Sequence, residues 1–337
     1  MNCIIIGAGR MGRRHIIVAR RLDLHIVAVV DISQDSLDLV SEECGVGKEA
    51  LFTNLDDAMK VAIPDCAVIS TTADSHADLV ISLASKGVKY ILVEKPMAVS
   101  IEQCKKMISE CKKFGTALAV NHQMRFMEQY ISPKNLLSGK EFGGFTSMTV
   151  TGGNFGFSMN ALHYFEAFRF LANEDPYEVT AWFSDEKVPN PRGDQFEDRA
   201  GSIRVTTKSG KRLYMEIGAD QGHGIQVNYF ARNGFIVIDE LSGEMRSVIR
   251  KAEFRELPTT RYGMPADTFR SEIKAAEVID STASVLEALF NNFDSVSGDH
   301  GILAVKVLVA AYESANNLNK SVKIADIENV NQVYPWA

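Results

Sequence analysis

A glycine-rich segment near the start of the chain has the residue types and spacing of a phosphate-binding turn. Gly7-Ala8-Gly9-Arg10-Met11-Gly12 follows a short apolar run and precedes a helical pattern. Gly7 permits a tight turn, Gly9 lets a pyrophosphate approach the backbone, and Gly12 lets the helix pack closely on the sheet. The helix N-terminus then presents N–H groups and partial positive charge to the phosphates. This context predicts a dinucleotide site, and disfavours a glycine turn without a ligand.

Asp31 ends the second apolar run, 19 residues after Gly12. A carboxylate at this position can accept hydrogen bonds from the adenosine ribose and would repel a 2′-phosphate. Ile32, Ser33 and Gln34 supply no cation to hold such a phosphate. The segment therefore favours NAD over NADP as the cofactor. A second role, N-cap of the following helix, is compatible with the first.

Lys95 lies two residues after a fourth apolar run, residues 89–93, within the sequence Glu94-Lys95-Pro96. Ligands bind parallel sheets at the carboxyl ends of their strands, which is where this lysine is expected. Its amine can hydrogen-bond a reacting oxygen, share the proton that moves with hydride transfer, and stabilise a developing alkoxide. Pro96 restricts Lys95 to an extended backbone. A surface lysine at a strand end is the structural alternative.

The elements that must position these residues alternate regularly up to residue 121. Strand and helix patterns follow one another about six times, which predicts a doubly wound parallel sheet with helices on both faces, an α/β Rossmann domain. After residue 121 the pattern changes to a few helices and a series of strands with turn residues between them. We therefore expect two domains, a dinucleotide-binding domain over 1–121 and an α+β domain over 122–337 with a large, mostly antiparallel sheet.

Composition narrows the classes of partner. The chain has 337 residues, 46% hydrophobic and 23% charged, with a net charge of −7, which argues against nucleic acid and anionic membranes as partners. No apolar run approaches the length of a membrane span, and no signal peptide is evident. Five cysteines without paired spacing indicate reduced thiols and a cytoplasmic location. No histidine, cysteine and acid set has metal-ligand spacing, so no metal is expected.

These motifs together resemble those of the glucose–fructose oxidoreductase / inositol dehydrogenase / MocA family. The resemblance extends over essentially the whole chain, and its motifs are the glycine turn, Asp31, Ser70-Thr71-Thr72 with His76, residues 93–98, Arg125-Phe126 and the segment 162–171. It implies that Thr71, Thr72 and His76 flank the cofactor, with Glu94 and Lys95 at its nicotinamide end. It also implies a cis Lys95–Pro96 peptide, and a dimer or tetramer formed through the open face of the second sheet.

His163 is the second candidate for proton transfer, because histidine exchanges protons near neutral pH. A buried structural histidine is the alternative, since its helix is rich in large apolar residues. Many catalytic members of the resembling family have an aspartate four residues earlier, where this chain has Met159 followed by Asn160. Helical spacing predicts both on the face of His163. Arg125 could hold a substrate carboxylate or phosphate, or tie the domains together.

The sequence thus predicts an NAD-dependent oxidoreductase that transfers hydride between nicotinamide and a sugar, cyclitol or nucleotide-sugar alcohol or ketone. The predicted catalytic residues are Lys95 and His163, and the predicted substrate residues are Arg125, Met159, Asn160 and His163. Two alternatives remain open. One is a non-catalytic NAD-binding regulator or scaffold, which the missing aspartate supports. The other is an enzyme that holds NAD tightly and catalyses no net redox change.

Overall fold

The computed structural model describes residues 1–153, 155–258, 265–274 and 277–336. The chain forms two compact units. The first contains Met1–Gln123, Glu277–Val305 and Val330–Ala337, and the second contains Met124–Ala276 and Lys306–Asn329. None of the helices in the described part of the chain combines the length and apolar character that crossing a bilayer requires.

The first unit is built on a six-stranded sheet in which every pairing is parallel. Its strands are β1 (Asn2–Ile6), β2 (His25–Val30), β3 (Leu51–Phe52), β4 (Cys66–Ile69), β5 (Tyr90–Val93) and β6 (Ala117–Val120), in the order β3-β2-β1-β4-β5-β6. The helices between them are α1 (Arg10–Arg21), α2 (Gln34–Cys44), α3 (Leu55–Val61), α4 (Ala73–Ser85) and α5 (Ile101–Phe114). This order is that of the Rossmann fold, which confirms the predicted α/β class.

The apolar runs form strands because burial on both sides of a parallel sheet accepts continuous aliphatic sequence. Ile4, Ile5 and Ile6 are at most 3% exposed, and residues 66–69 are fully buried. The helix ends follow their sequence signals: Ser100 caps α5 by accepting the N–H of Gln103 at 3.1 Å, and Gly115 ends it with φ +70°. The short β3 and α3 were not predicted, because their segment has a weaker periodic pattern.

The second unit is built on a nine-stranded, mostly antiparallel sheet, as predicted. Its strands are β7 (Phe145–Gly153), β8 (Glu178–Lys187), β9 (Arg199–Thr206), β10 (Arg212–Gly218), β11 (Gln226–Ala231), β12 (Gly234–Asp239), β13 (Glu244–Arg250), β14 (Ala266–Glu272) and β15 (Val322–Lys323). They lie in the order β14-β13-β12-β11-β7-β10-β9-β8-β15, with β7 and β10 parallel. The helices α6 (Glu128–Ser138) and α7 (Leu162–Ala172) pack against β7.

Two later helices complete the chain, α8 (Val278–Phe290) and α9 (Gly298–Asn316). The sequence analysis placed everything after residue 121 in the second domain, whereas the structure returns α8 and the C-terminal residues to the first unit. The physical reason is apolar cover: α8 packs on α1, β5 and β6 and buries Val285 and Leu286 there. Near the C-terminus, the buried Trp336 stacks on Tyr334 with ring centroids 4.6 Å apart.

Candidate active site

The glycine turn between β1 and α1 has the geometry that its sequence predicted. Gly7 has φ +95° and donates its N–H to the carbonyl of Val30 at 2.8 Å. A Cβ on Gly7 would lie 2.7 Å from the carbonyl carbon of Ser70, and one on Gly12 would lie 1.8 Å from the oxygen of Gly7. A Cβ on Gly9 would meet nothing within 4 Å. Packing therefore requires glycine at positions 7 and 12. The space that a Cβ on Gly9 would occupy is instead free of protein atoms.

The open space at Gly9 fits a pyrophosphate. Gly9 is the N-cap of α1 and supplies no side-chain cap, and the first turn, Arg10-Met11-Gly12, contains no acidic residue. The positive end of the helix is thus neither capped nor opposed by a carboxylate of its own. Ala8 directs its N–H away from this space, to the Oδ2 atom of Asp31 at 2.6 Å. The turn is therefore suited to the anionic centre of a dinucleotide.

Asp31 follows β2 and holds the glycine turn as well as its own loop. Its Oδ1 atom accepts the N–H of Ser33 at 2.9 Å, while Oδ2 accepts that of Ala8. The proposed second role as N-cap of α2 is wrong, because Ser33 is the N-cap and accepts the N–H of Ser36. A carboxylate has about four acceptor positions, so these two bonds leave room for ribose hydroxyls.

The loop after β4 is fixed to the loop after β5 by His76 of α4. The His76 ring is fully buried, with Nδ1 3.0 Å from the carbonyl oxygen of Pro96 and Nε2 3.3 Å from that of Thr71. Burial lowers the pKa of His76, although both carbonyls oppose that shift. The Thr71 hydroxyl lies 2.7 Å from that of Ser75, and Thr72 occupies the N-cap position of α4. The buried ring of His76 thus connects the two loops through one carbonyl of each.

Glu94, at the end of β5, is buried among hydrogen-bond donors. Its Oε1 atom lies 2.8 Å from Nε2 of His15 in α1 and accepts Nδ2–H of Asn121 at 2.8 Å. Its Oε2 atom accepts the N–H of Lys95 at 3.3 Å. Burial raises the pKa of Glu94, but the bond to His15, the charges of His15 and Lys95, and the bond to Asn121 together hold it well below its ordinary range. The carboxylate is therefore ionised inside the protein.

Lys95 lies two residues after the end of β5, at the carboxyl edge of the sheet, and is 9% exposed. The Lys95–Pro96 peptide is cis, as the family resemblance implied. The glycine turn follows β1, Asp31 follows β2 and Lys95 follows β5, so three predicted site residues or segments share one edge of one parallel sheet. Ligands bind doubly wound sheets at this edge.

In the second unit, the segment before α7 is a π-helical turn, Phe157–Ala161. The carbonyl of Gly156 accepts the N–H of Asn160 at 3.1 Å, which is α-helical spacing, and that of Ala161 at 3.3 Å, which is the wider five-residue spacing of a π turn. Met159 and Asn160 therefore do not have the α-helical spacing from which their common face with His163 was predicted. Both are half-buried, and His163, in the first turn of α7, is 8% exposed. Their role in binding substrate stays a prediction.

Asp198, just before β9, holds this π turn in place. Its Oδ1 atom accepts the N–H of Ser158 at 2.8 Å and of Arg199 at 2.9 Å, and Oδ2 accepts that of Met159 at 2.9 Å. Burial raises the pKa of Asp198, and these backbone bonds oppose the rise. A Cβ on Gly156 would lie 2.0 Å from the carboxyl carbon, which explains the glycine there.

Arg125 contacts a carboxylate of its own unit. Its guanidinium lies 3.3 Å from Oε1 of Glu166 in α7 and over the ring of Phe170, 5.1 Å from the centroid. Arg169 also binds Glu166, through two hydrogen bonds of 2.7 and 2.9 Å. Arg125 and Arg169 line a cavity of about 280 Å³ together with Lys134. Whether this cavity receives a substrate anion stays a prediction.

Sequence reasoning missed His15, Asn121 and Asp198. The sequence analysis assigned no role to His15 or Asn121, and Asp198 lies in a polar stretch without periodicity. Each acts on a residue far away in sequence, so no local spacing could have identified it. Among the residues that the structure describes, no group of histidine, cysteine and acidic side chains could hold a metal ion.

Comparison with known proteins agrees with this geometry. Residues 1–122 match the family model described as "Oxidoreductase family, NAD-binding Rossmann fold". The chain is 28% identical over 228 residues to inositol 2-dehydrogenase of Rhizobium meliloti, covering 62% of this chain and 66% of that enzyme. It is 24% identical to myo-inositol 2-dehydrogenase of Thermotoga maritima, covering 97% and 99% of the two chains.

The fold is also that of solved structures. An oxidoreductase from Agrobacterium radiobacter, in complex with NAD+, L-tartaric acid and magnesium, superposes with a TM-score of 0.79 at 18% identity, covering 96% of this chain and 98% of that one. The family model matches the part of the chain that contains the glycine turn, Asp31 and Lys95. Residues 1–122 are therefore similar to the NAD-binding Rossmann fold of this oxidoreductase family, and the chain as a whole is similar to inositol dehydrogenases.

Proposed function

We propose that this protein is an NAD-dependent dehydrogenase or reductase that acts on the CH–OH group of a sugar, cyclitol or nucleotide sugar. One observation carries the proposal: the open space at Gly9, the carboxylate of Asp31 and the amine-bearing Lys95 follow three strands of one parallel sheet at its carboxyl edge. That combination provides for a pyrophosphate, a ribose and a reacting oxygen along one edge. The relatives named inositol 2-dehydrogenase support the substrate class.

Each predicted cofactor residue of the first unit then has a defined role in binding NAD. The α1 N-terminus, Gly7 to Gly12, binds the pyrophosphate, and Asp31 accepts hydrogen bonds from the adenosine ribose. Thr71 and Thr72 border the cofactor on the loop that His76 supports. NAD, when bound, supplies the hydride acceptor for alcohol oxidation or the donor for ketone reduction.

Two residues are proposed to handle the proton. The Lys95 Nζ atom hydrogen-bonds the reacting oxygen and stabilises negative charge on it as the alcohol proton leaves. His163 is the second proton-exchanging group, and its imidazole can accept the released proton near neutral pH. Arg125, Met159 and Asn160 are proposed to contact the substrate. Of these, only Arg125 carries a charge, which suits a carboxylate or phosphate.

The cofactor preference is proposed to be NAD over NADP. Asp31 places negative charge at the ribose position, and its nearest following residue, Ile32, is apolar and 95% exposed. Fluorescence titration should show tighter binding of NADH than of NADPH. Tighter binding of NADPH would contradict the assignment.

The function itself is tested with the NAD+-linked oxidation of inositols, free sugars and nucleotide sugars, followed by NADH absorbance at pH 7–9. The matched variant is Lys95→Met, which keeps the length of the side chain and removes the amine. We expect turnover with at least one substrate, and a loss of about a hundredfold or more in Lys95→Met with NADH affinity retained. Equal turnover in both proteins would remove Lys95 from the mechanism.

The absence of an aspartate four residues before His163 favours a second candidate function. Met159 provides no carboxylate, and the nearby Asp198 uses both of its oxygens on backbone N–H groups. A protein that binds NAD(H) tightly and oxidises none of these compounds would be a regulator or scaffold. A protein that retains NAD through purification and converts a sugar without net change in absorbance would instead catalyse a redox-neutral reaction.

We further propose that the protein is a homo-oligomer formed through the outer face of the nine-stranded sheet. Trp182, Tyr214 and Phe230 lie on this face by register and are 50%, 40% and 38% exposed. An aromatic sheet face of this kind is typical of an interface. Light scattering at micromolar concentration should show a dimer or larger. The five cysteines have no paired spacing in the sequence, which is in keeping with the cytoplasmic location that we also propose.

A further inference from the structure

The buried carboxylate of Glu94 uses both of its oxygens on groups of the protein. Oε1 accepts from Asn121 and lies at hydrogen-bond distance from Nε2 of His15, and Oε2 accepts from the backbone of Lys95. Glu94 is 4% exposed. The carboxylate is thus buried among donors of the protein itself. Its tie to the site is Lys95, the next residue.

His15 has no other evident reason to be polar. Its ring is 1% exposed, and among the described residues its one hydrogen bond is that from Nε2 to Glu94. The Nδ1 atom of His15 and the Oδ1 atom of Asn121 are buried without a protein partner in the described part of the chain. Burying a polar atom without a partner is unfavourable, so an apolar side chain would suit the site better if packing were the only requirement.

The buried negative charge of Glu94 also needs hydrogen-bond donors to offset its loss of water. Removing one partner of such a group is strongly destabilising, because the charge is left without its hydrogen bonds. His15 from α1, Asn121 after β6 and the Lys95 backbone supply donors from three separate elements. Three donors from different directions fix both the position and the ionisation of Glu94.

We propose that His15 and Asn121 are positioning residues for the reaction: they hold Glu94 ionised and immobile, and Glu94 in turn keeps Lys95 charged and oriented. This rests on the role proposed above for Lys95. Neither His15 nor Asn121 needs to touch the cofactor or the substrate. The family resemblance implied that Glu94 lies at the nicotinamide end of the cofactor. Under this proposal Glu94 acts instead through Lys95, by its charge and its hydrogen bond to the Lys95 backbone.

In the described part of the chain, three titratable groups interact with Glu94. His15 faces it from α1, His76 experiences its charge from α4, and Lys95 adjoins it along the chain. The charge of Lys95 helps to lower the pKa of Glu94. Interaction between two charges is mutual, so the charge of Glu94 favours the protonated amine of Lys95 by the same amount.

The test measures the Lys95 amine directly and requires neither substrate nor cofactor. The intact protein is trace-labelled with acetic anhydride at a series of pH values, and acetylation of the Lys95 peptide is quantified by mass spectrometry against exposed lysines. The variants are Glu94→Gln, His15→Leu, His15→Gln and Asn121→Ala. Ile16→Val is the control, because Ile16 is fully buried in the same helix and has no part in the network.

We expect Glu94→Gln to move the labelling midpoint of Lys95 down by about one pH unit, since an opposite charge is lost. His15→Leu and Asn121→Ala should move it in the same direction, while His15→Gln, which keeps a donor, should retain the original midpoint. Ile16→Val should lower thermal stability only. If His15→Leu does not fold, Asn121→Ala tests the same network from β6.

Unchanged labelling midpoints in the variants would contradict the proposal. Midpoints in His15→Leu and Asn121→Ala that equal that of the unmodified protein, whether or not Glu94→Gln shifts, would overturn the proposal and leave the network a stability feature. Because labelling needs no turnover, a failed substrate screen would not affect this outcome. Where turnover is found, the variants should lower kcat with little change in KM for NAD+.

Discussion

The Oδ2 atom of Asp198 accepts the backbone N–H of Met159 at 2.9 Å, across 39 residues of sequence. Its Oδ1 atom holds Ser158 in the same π-helical turn. A single buried carboxylate therefore determines how the chain enters the helix that contains His163. The backbone of Met159 is thus held by a carboxylate from another part of the chain.

Replacing Asp198 should loosen this turn. Asp198→Asn keeps one acceptor oxygen and replaces the other with an amide that cannot accept the N–H of Met159. We expect a loss of about 1–3 kcal/mol in the free energy of unfolding, from urea titration, and a larger loss for Asp198→Ala. Hydrogen exchange at Ser158 and Met159 should be faster in both variants. Unchanged exchange at these amides would contradict the assigned role.

The glycine turn offers a pair of alanine variants with opposite expectations. At Gly12 a Cβ would lie 1.8 Å from a backbone oxygen, so Gly12→Ala should lower the free energy of unfolding by more than about 2 kcal/mol. At Gly9 a Cβ meets no protein atom, so Gly9→Ala should fold normally. It should nevertheless raise the Kd for NADH about tenfold or more, because the methyl group occupies the space of the pyrophosphate.

Thermal unfolding and fluorescence titration of both proteins separate the two effects. Gly9→Ala with normal stability and normal NADH affinity would show that the pyrophosphate does not approach this residue.

A buried cluster in the second unit should give stability a pH dependence of identifiable origin. Glu240 accepts hydrogen bonds from the hydroxyls of Tyr130 in α6 and Tyr164 in α7, the latter at 2.6 Å. Burial raises the pKa of Glu240, and the two tyrosine bonds oppose the rise without cancelling it. The folded protein therefore binds more protons here than the unfolded chain does.

Because the folded protein binds more protons at Glu240, the free energy of unfolding should fall with rising pH. The fall should begin at about pH 4.3, the ordinary pKa of glutamate, and continue through the raised pKa of Glu240 in the folded state. Glu240→Gln removes the titration while keeping one acceptor oxygen. Urea unfolding across this pH range should show a smaller decline for the variant than for the unmodified protein. Parallel curves would exclude Glu240 as the source.

The sequence predicted the parts of the site that depend on local spacing. Gly7, Gly9 and Gly12 lie within one turn, and Asp31 and Lys95 follow apolar strands whose ends must meet at one sheet edge. It did not predict His15 beneath Lys95, because Glu94 is 79 residues away and a helix pattern shows only that His15 lies among apolar neighbours. The π turn at Met159 was missed for a similar reason, since Asp198, which holds it, lies 39 residues away, just before β9.

The return of α8 to the first unit could not be predicted either. An apolar helix late in the chain shows that a surface must be covered, but not which one. Residues 278–290 cover α1, β5 and β6 through packing, and packing partners have no signature in spacing alone.

Met159→Asp tests whether the π turn belongs to the reaction site. Met159 is half-buried and lies four residues before His163. A new carboxylate near His163 should raise the pKa of its imidazole, because a neighbouring negative charge favours the protonated ring. If His163 takes part in turnover, the corresponding limb of the pH profile of kcat/KM should move to higher pH. Met159→Asn is the matched control, since it has the same shape and polarity without the charge and separates electrostatics from any disturbance of the turn held by Asp198. A shift in the aspartate variant alone supports His163 as a proton-exchanging group, and identical profiles in the two variants would show that position 159 does not act on His163.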